Sequence, residues 1–256
     1  MKHWMTACAA GAISLCVAAG AQAQSALNDI LDSGVLKFGT TGDWNPMSVR
    51  NPATNSYEGF DIDVATELAA DLGVEVEFVP TDWKTLVNGV VAGKYHMTGS
   101  ASISAARMKV AGFSESYIAV EIMPFTMPGM ADKFDGYESI NNPEVTVATT
   151  LGTTFEALVR EWFPNAEIKV VEAPLRGYQE VLAGRADVFI TSNIEGATLA
   201  EKHGVVQVPG TEPRAPSPIA MLLPQDDQVW INYVNNWVKL KEAKGFFDAT
   251  KAKHGL

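Results

Sequence analysis

The chain has 256 residues, 47% apolar and 19% charged, and this ordinary globular composition excludes a disordered chain. Its formal net charge of −11 repels phosphate backbones, so a nucleic-acid partner is not expected. Both cysteines, Cys8 and Cys16, lie near the amino terminus. We therefore expect no disulfide and no thiolate metal site in the rest of the chain.

The first 23 residues have the pattern of a secretory signal peptide. Lys2 and His3 give a basic start, residues 7–21 carry no charge, and Ala21-Gln22-Ala23 matches a small-x-small cleavage site. The apolar run is about 15 residues, shorter than the roughly 20 that a membrane-spanning helix needs. We predict cleavage near Ala23 and a periplasmic product.

The segment that follows alternates predicted strands and helices. Strands are expected at 36–40, 74–79 and 95–98, and helices at 57–72 and 82–91. Ser104 is expected to cap a short helix that carries Arg107. Asp82 is expected to cap the second of the two longer helices, and its apolar stripe should comprise Leu86, Val87, Val90 and Val91.

The second half of the chain repeats this alternation. The predicted strands are 145–149, 167–171, 188–191 and 205–208, and the predicted helices are 153–163, 175–182, 192–203 and 229–242. Such alternation predicts an α/β fold with mostly parallel sheets that helices cover on both faces. The buried face of the closing helix is expected to comprise Val229, Val234, Trp237, Val238 and Leu240.

Two segments rich in proline and glycine, 124–136 and 209–218, are candidate crossings between two lobes. The first lobe would then comprise residues 24–125 and 219–256, and the second residues 126–218. A cleft between two lobes is a common place for a small ligand.

Five motifs, in order along the chain, resemble the periplasmic solute-binding proteins of the amino-acid type. They are ILDSGVLK at 30–37, GFDIDVA at 59–65, SASISAAR at 100–107, FSESY at 113–117 and GRADV at 184–188. The resemblance implies a two-lobed, type II periplasmic-binding-protein fold that closes on a small solute. It also implies a monomer without a cofactor that delivers the solute to an ABC permease in the inner membrane.

One branch of this family consists of enzymes, the cyclohexadienyl dehydratases, which act on prephenate or arogenate. The sequences TDWKTL at 81–86 and TSNIE at 191–195 resemble that branch, in which Glu195 would be the general acid. Two positions depart from it, because the dehydratases carry lysine at the position of Ile122 and asparagine at that of Thr154. A binding protein is therefore the primary interpretation, and a secreted dehydratase is the alternative.

The resemblance assigns a ligand carboxylate to Arg107, whose forked donors match two carboxylate oxygens. Ser100 and Ser102 would add further donors. Thr153 and Thr154 begin a predicted helix, and free backbone amides at such a start attract anions.

Aromatic and charged residues would hold the rest of the ligand. Trp44 and Trp83 could stack on a ring or cover a cation. Ser192 stands where amino-acid binders of the family carry an aspartate for the ligand ammonium, and Glu195 could supply the missing charge. The expected ligand is a small carboxylate-bearing solute, either an amino acid or a related organic acid. No histidine after residue 23 has the spacing of a metal site.

Overall fold

A computed structural model describes residues 24–256 of the chain. The predicted signal peptide lies outside these described residues. Within them, no helix combines the length and the apolar character needed to cross a membrane.

Strands and short helices alternate along this part of the chain. The strands are β1 Val35–Thr40, β2 Asp43–Trp44, β3 Ser48–Arg50, β4 Tyr57–Glu58, β5 Glu75–Pro80, β6 Met97–Ser102, β7 Gly112–Phe113, β8 Ile118–Thr126, β9 Thr146–Thr150, β10 Glu167–Val171, β11 Val188–Ser192, β12 Val206–Gln207 and β13 Arg214–Leu223. The helices are α1 Ala26–Ser33, α2 Phe60–Leu72, α3 Leu86–Val91, α4 Ala105–Met108, α5 Pro128–Ala131, α6 Tyr137–Ile140, α7 Thr154–Trp162, α8 Gly177–Leu182, α9 Asn193–His203, α10 Gln228–Ala243 and α11 Phe246–Lys253.

The large sheet has two parallel halves. Its strand order is β10-β9-β11-β8-β13-β6-β1-β5. Strands β6, β1 and β5 are parallel to one another, and so are β11, β9 and β10. The long strands β8 and β13 run antiparallel to each other and join the halves. The predicted α/β architecture is therefore confirmed.

The two long strands were not predicted, because they contain prolines, which are more typical of loops than of strands. Pro124 lies inside β8 opposite Ile190, and the register of β13 shifts between Arg214 and Ser217. The predicted lobe boundaries, at 125/126 and 218/219, fall inside these strands. The division of the chain at those two points stays a prediction.

Three predicted element bounds are wrong by more than two residues. Tyr57 and Glu58 form β4, and α2 begins only after Gly59, whose φ of 125° is not helical. The third predicted strand, 95–98, is the longer β6. Asp82 does not cap α3; its carboxylate accepts from the Thr85 backbone N–H in a turn that precedes the helix.

Two helix faces also differ from the prediction. Val229 and Leu240 of α10 are 56% and 50% exposed, and Val91 of α3 is 57% exposed. In α10, Trp230 is buried instead, and its indole N–H donates to the His96 carbonyl at 3.3 Å. The buried stripe follows helical spacing and comprises Trp230, Val234, Trp237, Val238 and Lys241.

Candidate functional site

A cavity with a volume of about 530 Å³ lies between the two halves of the sheet. We call it the outer chamber. Apolar side chains from α3, α4, α7 and β8 form much of its wall, and Arg107 and several serine and threonine residues add polar groups. Its lining residues are Trp83, Lys84, Val87, Ser102, Ile103, Ser104, Ala106, Arg107, Val110, Ile122, Gly152, Thr153, Thr154, Ala157, Leu158, Pro216, Ser217 and Pro218.

A second cavity of about 20 Å³, the inner chamber, shares part of this wall. Seven of the nine predicted site residues line it, and Ser192 and Glu195 do not. Its lining residues are Trp44, Trp83, Ser100, Ser102, Arg107, Thr153, Thr154, Phe155 and Arg176. The structure thus brings together most of the residues that the sequence singled out.

Arg107 stands between the two chambers and is only 8% exposed. The Ser104 hydroxyl caps α4 by accepting from the Arg107 backbone N–H, as predicted. The guanidinium donates to the carbonyls of Ser102 at 3.2 Å and Gly152 at 3.3 Å. No carboxylate within residues 24–256 forms an ion pair with it. Burial lowers its pKa to about 10, because its charge is desolvated. A buried cation of this kind favours an anionic ligand.

The start of α7 faces Arg107 across the cleft. The Thr153 hydroxyl donates to the Thr150 carbonyl at 2.7 Å and does not cap the helix, and the Glu156 carboxylate accepts from the Gly152 backbone N–H at 3.3 Å. The backbone amides of the first helical residues, from Thr154 onward, and the positive end of the helix dipole are suited to an anion.

Gly152 brings α7 close to the opposite half of the molecule. Its φ is 81°, and a Cβ built on it would lie 2.5 Å from the Lys84 Cα and from the Trp83 carbonyl oxygen. A side chain would therefore clash with backbone atoms, so this close approach requires glycine.

The two predicted tryptophans contact each other. The rings of Trp44 and Trp83 meet edge to face, with centroids 5.8 Å apart. The Trp83 indole N–H donates to the Asp43 carboxylate at 3.0 Å. The Trp44 indole N–H is buried and has no partner among the described residues.

Arg176 is a site residue that the sequence analysis missed. It precedes α8, and its guanidinium donates to both Glu195 carboxylate oxygens, at 3.0 and 2.9 Å. It also donates to the Asp43 carbonyl at 2.8 Å, and its central carbon lies 5.5 Å from the Trp83 ring centroid. No motif marks Arg176; its only signal is its place at a predicted helix start.

Glu195 lies behind Arg176 and is fully buried. The Arg176 guanidinium and the Thr191 hydroxyl both donate to its carboxylate. Burial raises the pKa of Glu195, and these two donors oppose that shift without cancelling it. Burial alone would lower the pKa of Arg176, but the Glu195 and Asp43 carboxylates outweigh that effect and raise it.

The Ser192 side chain stabilises the start of helix α9. Its hydroxyl caps α9 by accepting from the Glu195 backbone N–H at 3.2 Å. On the neighbouring strand Ile122 lies directly opposite it, and Ile122 contributes apolar surface to the outer chamber.

Ser100 is tied to a second missed residue, Asp61. The Ser100 hydroxyl donates to the buried Asp61 carboxyl, and the Ser100 backbone N–H donates to the Tyr117 hydroxyl oxygen at 2.8 Å. Burial raises the pKa of Asp61 to about 7. Ser100 is therefore held in place from behind the inner chamber.

Comparison with known proteins decides the family. The model of the bacterial extracellular solute-binding proteins, family 3, matches residues 36–256. The chain belongs to this family. Its two parallel halves and the cleft between them are those of a type II periplasmic binding protein, so the predicted fold and the family resemblance are both confirmed.

Relatives of this solute-binding protein include an enzyme and binding proteins. Cyclohexadienyl dehydratase of Pseudomonas aeruginosa is 33% identical over 238 residues, which cover 91% of this chain and 87% of the enzyme. The crystal structure of an ancestral amino acid-binding protein, a precursor of cyclohexadienyl dehydratase, is 35% identical. Its TM-score is 0.83, with 90% of this chain and 99% of that chain covered.

A third relative carries a ligand. It is the putative binding component of an ABC transporter from Wolinella succinogenes, solved with lysine. It is 26% identical with a TM-score of 0.79, and 86% of this chain and 95% of that chain are covered. The family and these relatives support a solute-binding role for this protein, as predicted.

Proposed function

We propose that this protein captures a small carboxylate-bearing solute, an amino acid or a related organic acid, and delivers it to an ABC permease. The observation that carries the proposal is Arg107, a buried cation that borders both chambers and has no carboxylate partner among the described residues. A ligand carboxylate would satisfy its charge, and the uncapped start of α7 would face the same group.

The two halves would close around the solute. Arg107 and Gly152 come from opposite sides of the cleft, and a ligand that touches both sides stabilises the closed arrangement over an open one. We propose that the moving lobes are residues 24–125 with 219–256 and residues 126–218. The protein would act as a periplasmic monomer after cleavage near Ala23.

A calorimetric screen of residues 24–256 against amino acids and small organic acids tests the proposal. The matched variants are Arg107→Ala and Arg160→Ala, since Arg160 is an exposed arginine of α7 away from both chambers. Arg107→Ala should weaken binding by about 10- to 150-fold, the usual value of hydrogen bonds to a charged group. Arg160→Ala should leave the affinity unchanged. Equal affinity in the wild type and Arg107→Ala would contradict the assignment.

The second candidate function is that of a secreted prephenate or arogenate dehydratase. Its support is the relative from Pseudomonas aeruginosa and the raised pKa of Glu195, as a general acid requires. Against it, Arg176 and Thr191 occupy the Glu195 carboxylate, and Ile122 offers no polar group.

An assay with prephenate separates the two candidates. Loss of water and carbon dioxide from prephenate yields phenylpyruvate, which is measured directly. We expect no turnover above the uncatalysed rate. Turnover that disappears in Glu195→Gln would make the protein an enzyme.

A further inference from the structure

Two residues that line the inner chamber each carry a buried hydrogen-bond donor without a partner among the described residues. The two donors are the indole N–H of Trp44 and the Nε–H of Arg176, whose side chains are both at least nine-tenths buried. Both side chains line the inner chamber beside Arg107. A buried donor that makes no hydrogen bond costs about 1–3 kcal/mol, so two of them at one cavity indicate an acceptor supplied by the ligand.

The charges around the chamber indicate that this acceptor is neutral. The Arg176 guanidinium is already neutralised by Glu195 and Asp43, so a second ligand carboxylate would meet two carboxylates there. The volume of about 20 Å³ accommodates a group about the size of one water. A carbonyl oxygen has this size and accepts two hydrogen bonds.

The same contacts disfavour an ammonium group. The carboxylates of Asp43, Glu195 and Asp61 already accept from side chains that line the inner chamber or from their neighbours. An ammonium in this chamber would lie beside the guanidinium of Arg107, which has no carboxylate partner among the described residues, and its positive charge would be repelled.

The outer chamber is suited to an apolar tail. Val87, Ile103, Ile122 and Leu158 contribute aliphatic wall, and the volume of about 530 Å³ exceeds what a carboxylate needs. Arg107 lies on the wall that the two chambers share, so one ligand could place its carboxylate there and extend into both.

We propose that the solute is a 2-oxo monocarboxylate with an apolar tail. Its carboxylate binds Arg107, its oxo oxygen accepts from Trp44 and Arg176, and its tail fills the outer chamber. This inference rests on the proposed function, since it names the ligand of the same site.

Three acids with one carbon skeleton test it: 4-methyl-2-oxopentanoate, 4-methylpentanoate and L-leucine, each titrated calorimetrically into residues 24–256. The oxo acid should bind about threefold to tenfold more tightly than 4-methylpentanoate, which lacks the oxo oxygen that accepts the hydrogen bonds. L-Leucine should bind most weakly. Equal affinity for the oxo acid and 4-methylpentanoate, or tighter binding of L-leucine than of the oxo acid, would overturn the inference.

The variant Trp44→Phe keeps the aromatic ring and removes the indole N–H. It should weaken binding of the oxo acid by about threefold to tenfold and leave that of 4-methylpentanoate unchanged. Trp162→Phe, at the far end of α7, is the matched control and should change neither. An equal loss for both acids in Trp44→Phe would mean that the ring acts by packing alone, and would overturn the inference.

Different results would overturn the proposed solute-binding function and the inference that the solute is a 2-oxo acid. If the screen finds another acid whose binding requires Arg107 while the oxo acid does not bind, only the inference is overturned. If no acid binds in a manner that depends on Arg107, both the inference and the proposed function are overturned.

Discussion

The guanidinium of Arg107 donates to the carbonyl oxygen of Gly152 at 3.3 Å, from one side of the cleft to the other. The same Gly152 lies against the backbone of Trp83 and Lys84. The turn before α7 therefore contacts both Arg107 and the backbone of the opposite half of the molecule. If the cleft closes as proposed, we expect closure to assemble the anion site at the same time.

The first prediction concerns the close approach at Gly152. In Gly152→Ala the new methyl group meets the Trp83 and Lys84 backbone, so the halves cannot come together as described. We expect the protein to fold and to lose solute affinity by about tenfold or more, since roughly 1.4 kcal/mol of closing energy corresponds to a factor of ten. Calorimetry measures the affinity, and small-angle scattering measures whether the solute still compacts the protein.

Gly184→Ala is the control for this variant. Gly184 also has a positive φ, 68°, but a Cβ there has open space around it. Both variants carry the strain of a left-handed alanine, about 1 kcal/mol of stability, and only Gly152→Ala adds the clash. Similar affinity losses in the two would show that strain alone is responsible.

A second prediction concerns the buried pair of Arg176 and Glu195. Arg176→Met leaves the Glu195 carboxylate buried without its counter-ion, and we expect it to lower the unfolding free energy by about 3–5 kcal/mol at neutral pH. Adding Glu195→Gln removes the charge and should recover a large part of that loss. Urea unfolding of the single and double variants measures the coupling, and strictly additive losses would contradict it.

The third prediction concerns the pH dependence of stability. Burial raises the pKa of Asp61 from 3.8 to about 7, so between these values the folded protein holds a proton that the unfolded chain has released. The contribution of protonated Asp61 to the unfolding free energy is therefore fully present below about pH 4 and is lost as the pH rises toward 7.

Asp61→Asn cannot ionise and should remove this dependence. Over that pH window, the unfolding free energy of the variant should rise relative to the wild type by about 1.4 kcal/mol per pH unit. Urea unfolding at several pH values between 4 and 8 measures the difference. A difference that does not change with pH would show that Asp61 stays ionised.

A fourth prediction concerns export. Cleavage after Ala23 gives a product that begins at Gln24, the first described residue. Intact mass measurement of the protein released from the periplasm should match residues 24–256. A product that retains the first 23 residues and stays with the membrane would contradict the signal-peptide prediction.

Local patterns were sufficient to predict most strands and helices, because their periods of 2 and 3.6 residues can be read within one segment. The strands β8 and β13 could not be predicted in this way. Pro124 and Pro216 interrupt their pattern, and the strands they pair with lie far away in sequence. The buried face of α10 depended on contacts such as that of Trp230 with His96, which no local period contains.

The residues of the candidate site likewise fall into those that local sequence could predict and those that it could not. Ser102 and Arg107 stand in one contiguous motif and Thr153 begins a predicted helix, and the three residues line one chamber as expected. Arg176 was not predicted as a site residue, because its partners Asp43 and Glu195 are 133 and 19 residues away in sequence. The role of a residue in a buried charge network depends on tertiary contacts, and a single sequence does not display them.

The contacts of Arg176 also bear on how long a solute stays bound. Its bonds to Glu195 lie within one half of the molecule, whereas its bond to Asp43 crosses to the other half. If the halves separate as proposed, the guanidinium keeps Glu195 as its counter-ion and gives up its contacts with Asp43 and Trp83, so its charge stays paired. We then expect the dissociation rate to depend on a few contacts between the protein's own halves as well as on the contacts that the solute makes.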